Sequence, residues 1–266
     1  MTPDCTISVL HDVLRVYDQS FLDLDREERD RIMADTRRVL GESGLSDEAR
    51  AGLPVAYRMR AFCVQRGLHD ELERLIRDEA AGLSSGAVVV GGRVYAVYPY
   101  LRGVPRQDAD ITAEVGVDHR LDTAGWKNGR VRIAGRAAVE RVETHRTAVE
   151  VLLRDREAEA EHRLTIEPSG DGGDGGFVAI ADPAVLGTGR WDVHVVATAL
   201  GVTREARFGG VRGAGFKVDE TPRAVPGHDL EAALHLTGSG GHLALLVRAA
   251  TRPAPLRTRI RRRLIR

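Results

Sequence analysis

The chain has 266 residues, 42% apolar and 29% charged, with 39 Lys+Arg against 39 Asp+Glu. That length accommodates about two domains of roughly 100–200 residues each, and the composition is that of an ordinary globular chain, which excludes wholesale disorder. No apolar run approaches the about 20 residues that a spanning helix needs, so no membrane-crossing segment is expected.

The neutral total hides an acidic start and a basic end. Residues 1–80 carry a net charge of −5, whereas residues 252–266 hold seven Arg and no acid. Asp4, with no basic stretch ahead of an apolar run, predicts no signal peptide. Two cysteines in so long a chain, Cys5 and Cys63, predict a reducing, cytoplasmic setting, the less favoured alternative being a disulfide between them.

Residues 6–81 read as helices. Ile7, Leu10, Val13, Leu14 and Tyr17 recur at steps of three and four, which places them on one face. Asp25 caps a second helix, with Glu28 completing a box-like start and Gly41 ending it; Ile32, Thr36, Val39 and Leu40 form its expected buried stripe. Ser46 opens a short turn. Pro54 suits the first turn of a third helix, through Tyr57, Ala61 and Val64 to Gly67. A fourth runs from Leu68 to about Ala80 with Leu68, Leu72, Leu75 and Ile76 inward. The unit is expected to be a small helical bundle with short loops.

At 82–86 the apolar period changes from 3.6 to 2. Segments 87–90 and 93–98 flank Gly91-Gly92, a hairpin signal. Strands are then expected at 111–117, 130–134, 137–142, 148–154, 161–166, 177–181, 191–199 and 202–208. In 191–199, Trp191, Val193, Val195, Ala197 and Ala199 alternate with Asp192, His194, Val196 and Thr198, the pattern of one buried and one wet face. Short strands at this spacing predict an antiparallel, immunoglobulin-like sandwich. After the glycine-rich stretch 209–215, two more strands are expected at 230–236 and 242–247. The whole reads as α+β and multidomain: a helical unit over 1–81, a sandwich over 82–210, a β-hairpin or partial second β module over 211–251, and a basic tail over 252–266.

Few motifs carry chemistry. Gly170, Gly172 and Gly175 match G-x-G-x-x-G, but a strand follows where a dinucleotide loop needs a helix, so the match reads as a hairpin loop. Asp171 and Asp174 lack a third acidic ligand at loop spacing for calcium. Asp108-Ala-Asp110 and Asp23-Leu-Asp25 match a metal-holding D-x-D, yet no alternating βαβ text surrounds either. His119, His145, His162 and His194 each lie near an acid without converging zinc ligands, and read as solvated strand histidines. Cys63 falls on the inward side of a helix as a small core residue. No catalytic, cofactor-binding or metal-binding residue is assigned, and no cofactor is expected.

Two contacts remain. Trp126, after Gly125 in an expected turn, offers a ring on which a saccharide could stack, the alternative being that it lines a strand end. Arg257, Arg259, Arg261, Arg262, Arg263 and Arg266 in the tail could hold an anionic polymer or membrane surface, at about 1 kcal/mol each before salt screening; the alternative is a solvated end. Nucleic acid is not expected, because neither interleaved aromatics nor a recognition fold accompanies the charge.

Segment 53–76, LPVAYRMRAFCVQRGLHDELERLI, resembles the helical linker behind the catalytic domain of family 2 glycosyltransferases that decorate wall teichoic acid, of the poly(ribitol-phosphate) N-acetylglucosaminyltransferase type. VYDQSF at 16–21 resembles the same region. VVVGGRVYAVYPY at 88–100 and GRWDVHV at 189–195 resemble the linker exit and the C-terminal immunoglobulin-like modules. In such enzymes a nucleotide-sugar-binding α/β domain with its D-x-D precedes this region. The residues here show none of that text, so no catalytic residue carries over and enzymatic activity is left open. The resemblance implies a non-catalytic accessory, oligomerisation or acceptor-binding region, with a catalytic domain and a second copy of the chain as partners, placed in the cytoplasm or peripherally at the inner membrane face. An independent carbohydrate-binding sandwich is the alternative.

Overall fold

A computed structural model of the chain describes residues 3–144, 146–168 and 175–250. Its contacts divide the chain into two units. The first holds residues up to 115 together with 141–143 and 200–202; the second holds 116–140, 144–199 and the residues from 203 onward.

In the first unit the helices are α1 (Pro3–Arg15), α2 (Gln19–Leu22), α3 (Arg26–Leu40), α4 (Asp47–Gly52), α5 (Val55–Arg66) and α6 (His69–Ala80). Short polar side chains, those of Asp18, Asp25 and Ser46, cap α2, α3 and α4. Asp25 accepts from the Glu28 N–H at 2.9 Å, and Ser46 accepts from the Ala49 N–H at 3.2 Å. Each satisfies a donor that the first helical turn leaves without a partner. Ser46 is therefore the cap of α4 rather than part of a turn. Gly67, at φ 67°, closes α5 in the left-handed conformation that glycine adopts at little cost. Helix α5 lies at the centre, in contact with α1, α3 and α6, and its residues from Arg58 to Val64 are all buried. Leu14, Met59, Cys63, Val64, Leu72 and Leu75 are fully enclosed. Val39 departs from its expected stripe and is 52% exposed, because the buried face of α3 runs through Met33, Thr36 and Leu40.

The antiparallel hairpin β1 (Gly86–Val90) and β2 (Arg93–Val97) lies in this same unit. A short helix α7 (Arg106–Ala109) follows behind Pro105. The strand expected at 111–117 does not form across its first residues. The Thr112 hydroxyl binds the Asp110 carboxylate at 2.5 Å and accepts from the Val94 N–H at 2.9 Å, while Glu114 and Val115 donate back to the Ile111 carbonyl. These local bonds make a turn.

The second unit holds β3 (Val117–Lys127), β4 (Arg130–Val139), β5 (Ala148–Asp155), β6 (Glu161–Arg163), β7 (Thr165–Pro168), β8 (Gly176–Ala181), β9 (Gly189–Ala199), β10 (Val202–Arg207), β11 (Arg223–Ala224), β12 (Leu230–Leu236) and β13 (Leu243–Ala249). Four form one sheet in the order β3-β4-β8-β7. The others form a sheet in the order β11-β12-β13-β9-β5-β6, with β10 also on β9. Asn128 and Gly129 join β3 to β4 at φ 52° and 76°. Two positive φ values define the type I′ turn that matches strand twist. The expected separate strands at 130–134 and 137–142 are one strand, β4. The segment around Leu164 passes from one sheet to the other: β6 pairs with β5, β7 pairs with β8, and the Leu164 N–H binds the Val151 carbonyl at 2.9 Å. Strands β12 and β13 extend the larger sheet through pairing of β13 with Gly189–Asp192 of β9. The architecture is thus α+β, with the helices and one two-stranded hairpin in the first unit and the two larger antiparallel sheets in the second. Among the described residues no helix is long and apolar enough to cross a membrane.

Candidate functional site

The polar chemistry of the β unit centres on β9. Apolar residues alternate along this strand because one face packs inward: Val193, Val195 and Ala197 are fully buried. The opposite face, expected to be wet, is covered at Asp192, which is only 6% exposed. Three guanidinium groups surround its carboxylate. Arg156 Nε donates to Oδ2 at 3.1 Å and Arg207 Nη2 donates to the same oxygen at 3.0 Å. Arg190 Nε lies 3.4 Å from Oδ1 as an ion pair without hydrogen-bond geometry. Desolvating a carboxylate is costly unless it is paired, and three cations on three segments supply the pairing. Sequence periodicity identified the face but not its cover, since Arg156 and Arg207 come from segments remote in the chain.

Next on this face, Arg154 grips Glu205 with two nitrogens, one of them at 2.9 Å from Oε2, and reaches Glu161 through Nε at 2.9 Å. His194 Nδ1 lies 2.9 Å from Glu205 Oε1. Burial holds the His194 pKa below its ordinary value, against the opposing pull of Glu205. His119 on β3 stacks obliquely on Phe208, ring centroids 5.5 Å apart, and Phe208 in turn meets Phe177 at 5.4 Å. Burial first, and then the neighbouring His242, holds the His119 pKa below its ordinary value. The ion pairs of Arg154 and His194 with Glu205, and of Arg156 and Arg207 with Asp192, tie neighbouring segments of this sheet together, whereas His119 Nδ1 is enclosed without a hydrogen-bond partner. Among the described residues no three His, Cys, Asp or Glu groups converge to hold a metal ion.

Trp126 lies in β3 opposite Val131, not in the turn beyond it. Its ring is half-buried. The Arg223 guanidinium sits 5.9 Å from the ring centroid, a cation–π contact, and the indole Nε1 is enclosed without a hydrogen-bond partner. At the same end, a Cβ on Gly129 would fall 2.9 Å from Pro226 Cγ. Segment 223–226 thus closes over the β3–β4 turn, and the indole presents less than a full face to a ligand. Trp191 is in the core at 5% exposure, its Nε1 donating to the Gly187 carbonyl at 3.0 Å.

The remaining sequence candidates separate. Asp108 receives Arg50 Nε at 2.7 Å, and Asp110 receives Arg93 at 2.7 Å and Thr112, so the two carboxylates of that D-x-D serve different partners. Asp25 is a helix cap and Asp23 ends α2. Cys63 is a free, enclosed thiol whose pKa burial raises to about 12; the side chain of Cys5 lies outside those described. Gly170, Gly172, Asp171, Asp174, His145 and the tail residues Arg257, Arg259, Arg261, Arg262, Arg263 and Arg266 also lie outside the described residues.

Taken together, fold and site define an α+β protein in which helices precede antiparallel sheets tied by cross-strand ion pairs. Neither a family model nor a curated protein matches the chain. Among solved structures, a fragment of S. aureus TarS, residues 217–571, matches over 92% of this chain and 70% of its own, with a TM-score of 0.55 and 12% identity. A second S. aureus TarS structure matches over 87% of this chain and 41% of its own, with a TM-score of 0.47 and 14% identity. At such identities the similarity is one of fold.

Proposed function

We propose that this chain is a non-catalytic region of a family 2 glycosyltransferase acting on a cell-envelope polymer of the teichoic acid kind, in which it serves oligomerisation or acceptor binding. The observation that carries the reading is the fold similarity to the TarS fragment over 92% of the chain. It gains from the resemblance of segment 53–76, which folds as α5, the turn at Gly67 and α6, the central helical pair of the first unit. On this reading the helices dock a catalytic domain, and the two sheets form an immunoglobulin-like sandwich that meets either another copy or the polymer. The basic tail draws the assembly to an anionic surface on the cytoplasmic side of the membrane.

The test is direct. The purified chain is passed over immobilised polyol-phosphate polymer, and its mass in solution is measured by light scattering. Retention on the polymer, or a mass that is a multiple of the monomer, supports the reading. A monomer that ignores the polymer, or one that itself turns over a nucleotide sugar, overturns it.

A further inference from the structure

Beside α3 and α5 the helical unit holds a groove of about 820 Å³, within the range of small-ligand sites. Its charges are unevenly matched. At its base Arg58 pairs with Glu114, and Arg50 with Asp108 at 2.7 Å. At its rim Arg37 and Arg66 form no ion pair with a carboxylate among the described residues. Arg37 Nε and Nη2 both donate to the Val64 carbonyl, at 3.0 and 2.7 Å. That fork fixes the guanidinium against the end of α5 and leaves its positive charge uncompensated by any acid. Gly67 makes room for it, since a Cβ there would stand 3.1 Å from Arg37 Nη2. Arg66 lies over the Phe62 ring at 5.9 Å. The facing loop contributes one acid, the exposed Glu42, beside Ser43.

The geometry points to a binding site for a phosphodiester carried on a polyol. At the rim two guanidinium groups without an ion-pair partner face one carboxylate, Glu42, a local excess of positive charge that suits an anionic phosphodiester. A guanidinium held in place loses little freedom on meeting phosphate oxygens, and its remaining N–H groups match them in geometry. Glu42 and Ser43 are acceptors for the hydroxyl groups that a polyol carries beside its phosphate. The assignment gives the acceptor polymer of the proposed function a specific place on the helical unit, and it rests on that reading for its biological sense.

The test uses the full chain and isothermal titration at low salt with three probes: a short glycerol-phosphate diester oligomer, glycerol 3-phosphate and inorganic phosphate. The oligomer is expected to bind best, with affinity falling as salt screens the contact. R66Q on the exposed rim should weaken it about tenfold, and R37Q at least as much. R66K should restore part of the loss, and R31Q, at a residue of α3 that does not line the groove and whose guanidinium pairs with Glu27 at 3.3 Å, should leave binding unchanged. Circular dichroism melting confirms that each variant folds. If the oligomer binds wild type, R66Q and R37Q alike, the groove is not the site while the acceptor-binding reading stands. If the oligomer binds and the variants lose it, yet the chain neither holds long polymer nor self-associates, the groove stands and the proposed function falls. No binding of any probe overturns the groove, as does tighter binding of inorganic phosphate than of the oligomer.

Discussion

Arg207 donates to Asp192 Oδ2 at 3.0 Å, joining the end of β10 to the buried carboxylate on β9. Strand β9 shares one of its edges between β13 near its start and β10 near its end, and Asp192 falls at the changeover. Replacing this carboxylate by the neutral Asp192→Asn side chain leaves three guanidinium groups without a counter-charge. The expected cost is about 1–3 kcal/mol, read from the midpoint of urea unfolding at pH 7. Arg156→Gln, which removes a half-exposed, solvent-screened guanidinium and leaves Asp192 its two other cations, should cost under about 1 kcal/mol. Equal loss in the two variants would contradict the central place given to Asp192.

Gly135 of β4 is closely approached from two sides. A Cβ there would meet the Arg120 carbonyl oxygen and lie 2.7 Å from Phe208 Cζ. Gly135→Ala should therefore force a shift of β3 or of the Phe208 ring and cost about 1–3 kcal/mol. A thermal midpoint indistinguishable from wild type would show that the contact relaxes freely.

Acid should weaken the β unit through its histidines. His119, His194, His235 and His242 all have pKa values below the ordinary 6.5, burial being the first cause in each. A depressed folded-state pKa means that the unfolded chain takes up protons first as pH falls. The stability these groups confer is present above pH 6.5 and is lost below it. Urea midpoints measured from pH 7.5 down to 5.0 should fall, and His194→Gln should flatten the slope. A midpoint constant over that range would count against buried neutral histidines.

Alkali should weaken the helical unit by the opposite linkage. Burial raises Cys63 and Tyr17 to about 12 from 9.0 and 10.0. The unfolded forms ionise first as pH rises, so the contribution is intact below pH 9 and declines above it. The Cys63 thiol should resist a thiol reagent at pH 8 in the native protein and react promptly in urea; rapid native labelling at residue 63 would sink this placement.

Removal of residues 252–266 should abolish binding to anionic liposomes at low salt, as seen by co-sedimentation, with neutral liposomes as the control. Equal sedimentation of full-length and shortened chains would assign the attraction elsewhere.

Much of the helical unit was legible in sequence because its signals are local. Asp25 with Glu28, Pro54 and Gly67 each mark a helix end within a few residues. Strand β9 was equally plain from its alternation. Strand β3 was not, since Asp118, Arg120, Asp122 and Gly125 interrupt any apolar period, and Trp126 was accordingly placed in the turn that Asn128 and Gly129 in fact make. Non-local pairs were invisible: nothing near Asp192 in the chain announces Arg156 or Arg207. The rim of the helical groove was missed for the same reason, because Arg37 and Arg66 sit on different helices and meet only once α3 lies beside α5.

The passage of the chain at Leu164 has a mechanical consequence. A single unbroken thread is stitched into both sheets within eight residues, Glu161 to Pro168. Pulling either sheet away must drag this stitch out of the other, so the two should come apart in one concerted event, and cutting the backbone there would loosen both at once.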